Sequence, residues 1–219
     1  MEEKKKTKEE LVAYGKMIME KGLAIGPGGN ISARCGEIVY LSPSGYSLGE
    51  LREEDYVGVN LKTGEIVEGR LKPTCEVSMH LGCYLAREDI KAVVHVHPPL
   101  ATGVVSAGVK IKPMFPDFVA LLGEVPIIDY VIPAGREIRK AVTTVIKDHD
   151  AALLVNHGAV TVGANLKEAF YRAEIIEDAA RTLIASLTVG KPRFLTEEEV
   201  EGIRNLEAED YRKALLRNQ

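Results

Sequence analysis

Near the start of the chain apolar residues recur at helical spacing, with Leu11, Tyr14 and Ile18 on one face. Thr7 with Glu10 three residues later has the form of a capping box, and Gly22 is placed to stop the helix. One side of this helix should pack on a sheet. The pattern then shortens to strands. Gly26-Pro27-Gly28-Gly29-Asn30 is a glycine-rich turn with exposed amides that opens a strand through Arg34, and residues 37–41 return as its partner. A second tight turn, Ser42-Pro43-Ser44-Gly45, leads through an acidic stretch to residues 56–60 and 65–68, which pair across Lys62-Thr63-Gly64. Helical spacing returns over residues 76–86, with Val77, Leu81 and Tyr84 or Leu85 inward and Glu76 in the first turn. Residues 91–96 read as a buried strand that Pro98-Pro99 ends, the same prolines suiting the start of a helix. Residues 126–130, 152–155 and 159–162 read as strands, the last two forming a hairpin with His157 at its tip. Asn165 with Glu168 caps a long helix through Ser186, and Thr196 with Glu199 caps a final one ending near the C-terminus. Strands outnumber those of a simple strand–helix alternation, so the pattern predicts an α/β sandwich with a largely antiparallel sheet rather than a doubly wound parallel one.

Composition narrows this only a little. The 219 residues contain nothing that reads as a linker, so residues 1–219 are expected to form one domain. A net charge of −4, with both signs interleaved, gives no electrostatic reason to bind nucleic acid. The opening Met1-Glu2-Glu3-Lys4-Lys5-Lys6 has no apolar core behind it and reads as neither a signal peptide nor a membrane segment, which points to the cytoplasm. Cys35, Cys75 and Cys83 are odd in number and lack a C-x-x-C spacing, against a disulfide framework and against a thiolate zinc knuckle. A metal in this chain would be held by histidine and carboxylate.

Such a set exists. His95 and His97 alternate onto one face at the end of their strand, where two imidazoles are read equally well as strand-end hydrogen bonders or as ligands. His157 and Glu76 complete three nitrogens and an oxygen, a donor set that suits zinc, or manganese, cobalt or iron, with a labile position for substrate. A metal so held polarises a carbonyl or hydroxyl pair and stabilises an enediolate, and Glu76 is the best-placed base for the proton that leaves. Taken alone, Glu76 reads first as a favourable charge at a helix N-terminus. Three segments suit an anion: Gly28-Gly29-Asn30, Ser44-Gly45 and the helix start at Thr74-Cys75. Each alone is an ordinary turn; with a metal set they suit a phosphorylated sugar. His80, one turn after Glu76, is expected to make a structural hydrogen bond, His149 to be a solvated loop residue, and Arg34 to form an ion pair or reach a phosphate.

In these motifs the chain resembles the class II aldolases of the fuculose-phosphate aldolase and ribulose-phosphate 4-epimerase type. The resemblance rests on Gly29-Asn30-Ile31-Ser32-Ala33-Arg34, Ser42-Pro43-Ser44-Gly45, Lys72-Pro73-Thr74-Cys75-Glu76, His80, His95-Val96-His97-Pro98 and Asn156-His157-Gly158, in the family's order over nearly the whole chain. It implies a three-layer α/β/α sandwich around a central antiparallel sheet, and a homotetramer with active sites between subunits. It also implies a zinc-type metal on His95, His97 and His157, Glu76 as general base, and phosphate contacts from Asn30, Ser44, Gly45, Thr74 and Cys75, with Gly29 beside them. The implied activity is cleavage of a fuculose 1-phosphate-like ketose to dihydroxyacetone phosphate and an aldehyde. A ribulose-5-phosphate 4-epimerase, a methylthioribulose-1-phosphate dehydratase and a non-catalytic metal or sugar-phosphate binding protein are the alternatives. Fuculose-phosphate aldolases usually carry serine and tryptophan where Cys75 and Val77 stand. They also protonate the leaving aldehyde with a tyrosine from a neighbouring subunit, and the corresponding loop, residues 112–118, has none. Asp117 in that loop, and Tyr130 and Tyr211 outside it, are the candidates for the missing acid.

Overall fold

The computed structural model describes residues 2–217. Eight strands form one sheet in the order β4-β3-β2-β1-β5-β8-β7-β6. They are β1 (Asn30–Cys35), β2 (Ile38–Leu41), β3 (Val57–Asn60), β4 (Ile66–Glu68), β5 (Ala92–Val96), β6 (Ile127–Ile128), β7 (Ala151–Leu154) and β8 (Gly158–Gly163). Neighbours pair antiparallel except β6 with β7, the one parallel pair among the described residues. The four strands of the first hairpins form one half of the sheet, and β5 joins it to the other by pairing with β1 and β8.

Alternation along these strands divides the apolar side chains between two cores. On one face Ile31, Ala33, Tyr40, Val94 and Val96 pack with α1 (Glu2–Glu20), α3 (Pro99–Ser106) and α5 (Leu166–Val189). On the other Val39, Val57, Val59, Val93, Val160 and Val162 pack with α2 (Val77–Ala86) and α4 (Arg136–Ile146). The result is the expected three-layer α/β/α sandwich with a mostly antiparallel sheet. No helix among the described residues is long and apolar enough to cross a membrane.

Several boundaries differ from those the sequence suggests. Helix α1 begins by Glu2, and Thr7 is interior to it, its hydroxyl donating to the Glu3 carbonyl at 2.9 Å. The pairs Lys5–Glu9 and Lys6–Glu10 lie at i,i+4, so this charged stretch supports a helix that has no apolar stripe to announce it. Its stop is as expected: Gly22 takes φ +67° and the Leu23 N–H reaches the Ile18 carbonyl. Glu76 precedes the first turn of α2, at its N-cap, and Leu85 is exposed while Tyr84 is buried. The C-terminal segment is two helices, α6 (Glu197–Arg204) and α7 (Glu207–Arg217), because Asn205 ends the first with its N–H on the Glu201 and Ile203 carbonyls. The Thr196 and Glu199 capping box is present. A π-helical turn over Phe118–Leu122 had no sequence signal.

Candidate active site

The site is built where β5 runs out. His95 shares the face of Val93 on this strand, toward α2, and Pro98 ends the pairing two residues past its register. His97 lies just beyond the strand, its backbone N–H donating to the Leu23 carbonyl at 2.9 Å. His157 occupies the β7–β8 hairpin tip beside Asn156, which takes φ +55° and donates its N–H to Ser106 Oγ at 2.8 Å. Close packing aligns the hairpin with β5: a Cβ on Gly158 would stand 2.2 Å from the Val96 carbonyl oxygen and 2.9 Å from His97 Cδ2. Gly29, at φ +73°, brings the glycine-rich turn close to the other side of the strand end, 3.0 Å from the His95 carbonyl oxygen to where its Cβ would be.

Three imidazole nitrogens converge as a result. His95 Nε2 lies 3.2 Å from both His97 Nε2 and His157 Nε2, and one donor atom from each ring falls within 4.8 Å of the others. The Ala159 carbonyl, 2.9 Å from His95 Nδ1, accepts the Nδ1–H and fixes the ring's orientation, leaving Nε2 to face the cluster. Burial, reinforced by the charge of His95, pushes His97 and His157 down to about 4. At neutral pH these rings aim lone pairs at one another, a repulsive arrangement that a shared cation reverses. In a tetrahedral site with Zn–N bonds of about 2.0–2.1 Å, neighbouring nitrogens stand roughly 3.3 Å apart. The two separations from His95 Nε2, 3.2 Å each, fit this spacing.

Glu76 faces this cluster from the N-cap of α2 and is buried. Its Oε2 accepts from Asn30 Nδ2 at 2.9 Å and lies 3.1 Å from His95 Nε2. Its Oε1 lies 3.7 Å from His157 Nε2 and, although buried, has no hydrogen-bond partner. Burial disfavours the carboxylate, but the interactions with His95 and the hydrogen bond from the Asn30 amide outweigh it, holding the carboxyl well below its usual range. An orphaned carboxylate oxygen beside three converging nitrogens is the arrangement a divalent ion and an oxygen-rich ligand complete.

Behind Glu76 runs a buried polar row. Asn30 Oδ1 contacts His80 Nε2, His80 Nδ1 lies 2.7 Å from Ser32 Oγ, and Ser32 Oγ lies 2.7 Å from the Tyr84 hydroxyl. Burial pushes His80 down to about 3. The expected structural role of His80 is borne out, but its partners were not foreseen. Their signal was available: Asn30 and Ser32 alternate on one strand face, while Glu76, His80 and Tyr84 recur every four residues along an otherwise apolar helix.

The anion turns form one rim. Ser42 links them: its N–H donates to the Ile31 carbonyl, its Oγ accepts from the Ile31 N–H, and its carbonyl accepts from the Thr74 N–H. Ser44 N–H donates to the Lys72 carbonyl at 2.9 Å. Ser44, Gly45 and Cys75 are exposed, whereas Thr74 is buried, its Oγ1 accepting from the Glu76 N–H. Among the described residues no hydrogen bond or ion pair joins Asp117, Tyr130 or Tyr211 to the histidine cluster. Asp117 pairs with Arg212 of α7 at 2.7 Å, and both tyrosines are exposed. His149 sits in the α4–β7 loop, and the Arg34 guanidinium donates to the Gly36 carbonyl.

Residues 9–184 match the model of the Class II Aldolase and Adducin N-terminal domain. The 5-deoxy-D-ribulose 1-phosphate aldolase of Bacillus thuringiensis serovar kurstaki is 39% identical over 201 residues, 90% of this chain and 93% of that one. The 3-oxo-tetronate 4-phosphate decarboxylase of Pectobacterium atrosepticum is 33% identical over 201 residues, 89% of this chain and 91% of that one. A solved L-fuculose 1-phosphate aldolase superposes with a TM-score of 0.84 at 30% identity, covering 91% of this chain and 94% of the other. These relatives are lyases acting on phosphorylated sugars or sugar acids. On the sheet, the histidine cluster and this match, the chain belongs to the class II aldolase family.

Proposed function

We propose that the chain is a zinc-dependent aldolase that splits a ketose 1-phosphate into dihydroxyacetone phosphate and an aldehyde. The observation that carries this is the bare Oε1 of Glu76 beside three converging imidazole nitrogens. His95, His97 and His157 would hold the ion, which would supply electrophilic polarisation of the substrate carbonyl and the hydroxyl on the carbon beside it. The phosphate rests on the rim made by Gly29, Ser44, Gly45, Thr74 and Cys75, with Asn30 beside it. Cys75 contributes its backbone amide rather than its thiol. As the C3–C4 bond breaks, a basic group across the subunit boundary takes the C4 hydroxyl proton, the bonding electrons stay with C3, and solvent returns an equivalent proton to Glu76 Oε1. Glu76 Oε1 delivers a proton to that carbon, completing dihydroxyacetone phosphate, and in the condensation direction removes it again. The exposed positions of Asp117, Tyr130 and Tyr211 suit a donor supplied across a subunit boundary in a cytoplasmic homotetramer.

Replacing Glu76 by Gln keeps the shape and removes the base. With zinc content held near one per chain, Glu76→Gln is expected to lower kcat for L-fuculose 1-phosphate or 5-deoxy-D-ribulose 1-phosphate by about a hundredfold or more. Turnover at the parental rate overturns the reading. One observation favours decarboxylation of a 3-oxo sugar-acid phosphate as a second reading. The 112–118 loop lacks a tyrosine, and carbon dioxide, unlike an aldehyde, leaves without exchanging a hydroxyl proton. Release of carbon dioxide from 3-oxo-tetronate 4-phosphate, with no aldehyde from either ketose, would select it.

A further inference from the structure

The polar row behind Glu76 has a direction. A carboxylate only accepts, so the Asn30 group 2.9 Å from Glu76 Oε2 is its Nδ2 donor, and Oδ1 is turned toward His80. An amide oxygen also only accepts, so His80 Nε2 carries the hydrogen. The neutral ring then has its lone pair on Nδ1 and accepts from the Ser32 hydroxyl at 2.7 Å. Ser32 Oγ is left to accept from the Tyr84 hydroxyl, also at 2.7 Å. The order is Tyr84 to Ser32 to His80 to Asn30 to Glu76, with each group donating to the next. Every member is buried, Ser32 and His80 completely, so water is not available to substitute for a missing partner.

From this we propose that His80 is a positioning residue. By holding the Asn30 amide in one of its two orientations, it keeps Glu76 Oε2 engaged and Oε1 bare for substrate. The inference rests on the reading of Glu76 as proton carrier given above. Without a donor at His80 Nε2, Glu76 alone discriminates between the two faces of the Asn30 amide, and Oδ1 is left buried with no partner to hold it. Turned over, it sets oxygen against oxygen at Glu76. The carboxylate then loses its one neutral anchor and is held only by its proximity to His95. An imidazole kept merely to fill space between α2 and β1 would need neither nitrogen.

Two variants and one spectrum test this. His80→Leu removes the donor, while His80→Gln places an amide N–H near the position of Nε2. With zinc content and melting temperature measured on the same samples, His80→Leu is expected to lose about ten- to a hundredfold in kcat for the ketose 1-phosphate turned over fastest, at nearly unchanged KM. His80→Gln is expected to recover most of that loss. Equal kcat in His80→Leu and the parent, or equal impairment of the two variants, overturns the proposal. If His80→Leu does not fold, long-range 1H–15N spectra of the parent protein decide, since the imidazole nitrogens report the tautomer directly. The Nε2–H tautomer is expected for His80 from pH 7 down to pH 5, and the Nδ1–H tautomer or an imidazolium overturns the assignment. Full turnover by Glu76→Gln removes the catalytic reading itself. Loss of turnover by Glu76→Gln with His80→Leu unaffected removes only the role given to His80.

Discussion

A histidine kept out of water charges at lower pH than one in an unfolded chain, and three of the five histidines here are in that condition. His97 and His157 are pushed down to about 4 and His80 to about 3, chiefly by burial, from an ordinary value of 6.5. Linkage gives the sign. Between 6.5 and about 4 the unfolded chain binds more protons than the folded one, so stability falls as pH drops through that window and is fully present above it. Glu68 and Glu76, both held below the ordinary carboxylate value of 4.5, join only below 4.5. Urea melts of metal-free protein at pH 7.5, 6.0 and 5.0 should therefore show a falling midpoint across the upper part of the window. A midpoint flat from 7.5 to 5.0 would mean that these rings take up protons in the native protein just as they do in the unfolded chain. The same burial that depresses them keeps their lone pairs available near neutrality, which ties the stability profile to the ligand role.

Among elements, the contact that sets the site is the β7–β8 hairpin against the end of β5. Gly158 is where this contact tolerates nothing larger than hydrogen, because the obstacle is the Val96 backbone at 2.2 Å rather than a movable side chain. Gly158→Ala is expected to cost about 3 kcal/mol of folding stability and to weaken zinc binding by about tenfold or more, as His97 and His157 are pushed apart. Gly103→Ala on α3, where an added Cβ meets nothing within 4 Å, is expected to gain about 0.5–1 kcal/mol and leave zinc affinity unchanged. Parallel losses in the two variants would mean that the hairpin contact is not what aligns the rings. The hairpin and β5 were legible in the sequence because turn residues and prolines bound short apolar runs on both sides. The start of α1 was not, since a run of Lys and Glu stabilises a helix through i,i+4 pairs without leaving an apolar period to read. The break at Asn205 was hidden for a related reason: α6 and α7 bury no residue fully, so no core-facing stripe marks where one ends. The metal set was legible because His-x-His and Asn-His-Gly sit at element ends, where side chains from distant segments meet. Spacing marks the members of the row from Tyr84 to Glu76 on each element, but joining them needs the packing of β1 against α2, a tertiary fact no local pattern contains.

At the scale of the molecule, the site lies where segments distant in sequence come together. Glu76 begins a helix packed on one face of the sheet, His95 and His97 end the strand that joins the sheet's two halves, and His157 closes a hairpin some sixty residues further on. Unfolding separates the three rings, so an ion bound to all of them belongs to the native state alone, and its binding free energy adds to folding stability. At a hundredfold excess of zinc over its Kd the gain is about 2.7 kcal/mol, which for a chain of this length raises Tm by roughly 5–10 °C. Adding a chelator to zinc-loaded protein should reverse that rise. His97→Ala should abolish it while leaving the metal-free Tm close to the parent's, because His97 lies outside both apolar cores. Two-thirds of the shift surviving in His97→Ala would locate the ion elsewhere, for example on exposed carboxylates. A full shift in Glu76→Gln together with none in His97→Ala would separate the groups that hold the ion from the one that works beside it, and would leave Glu76 free to move its proton without surrendering the metal.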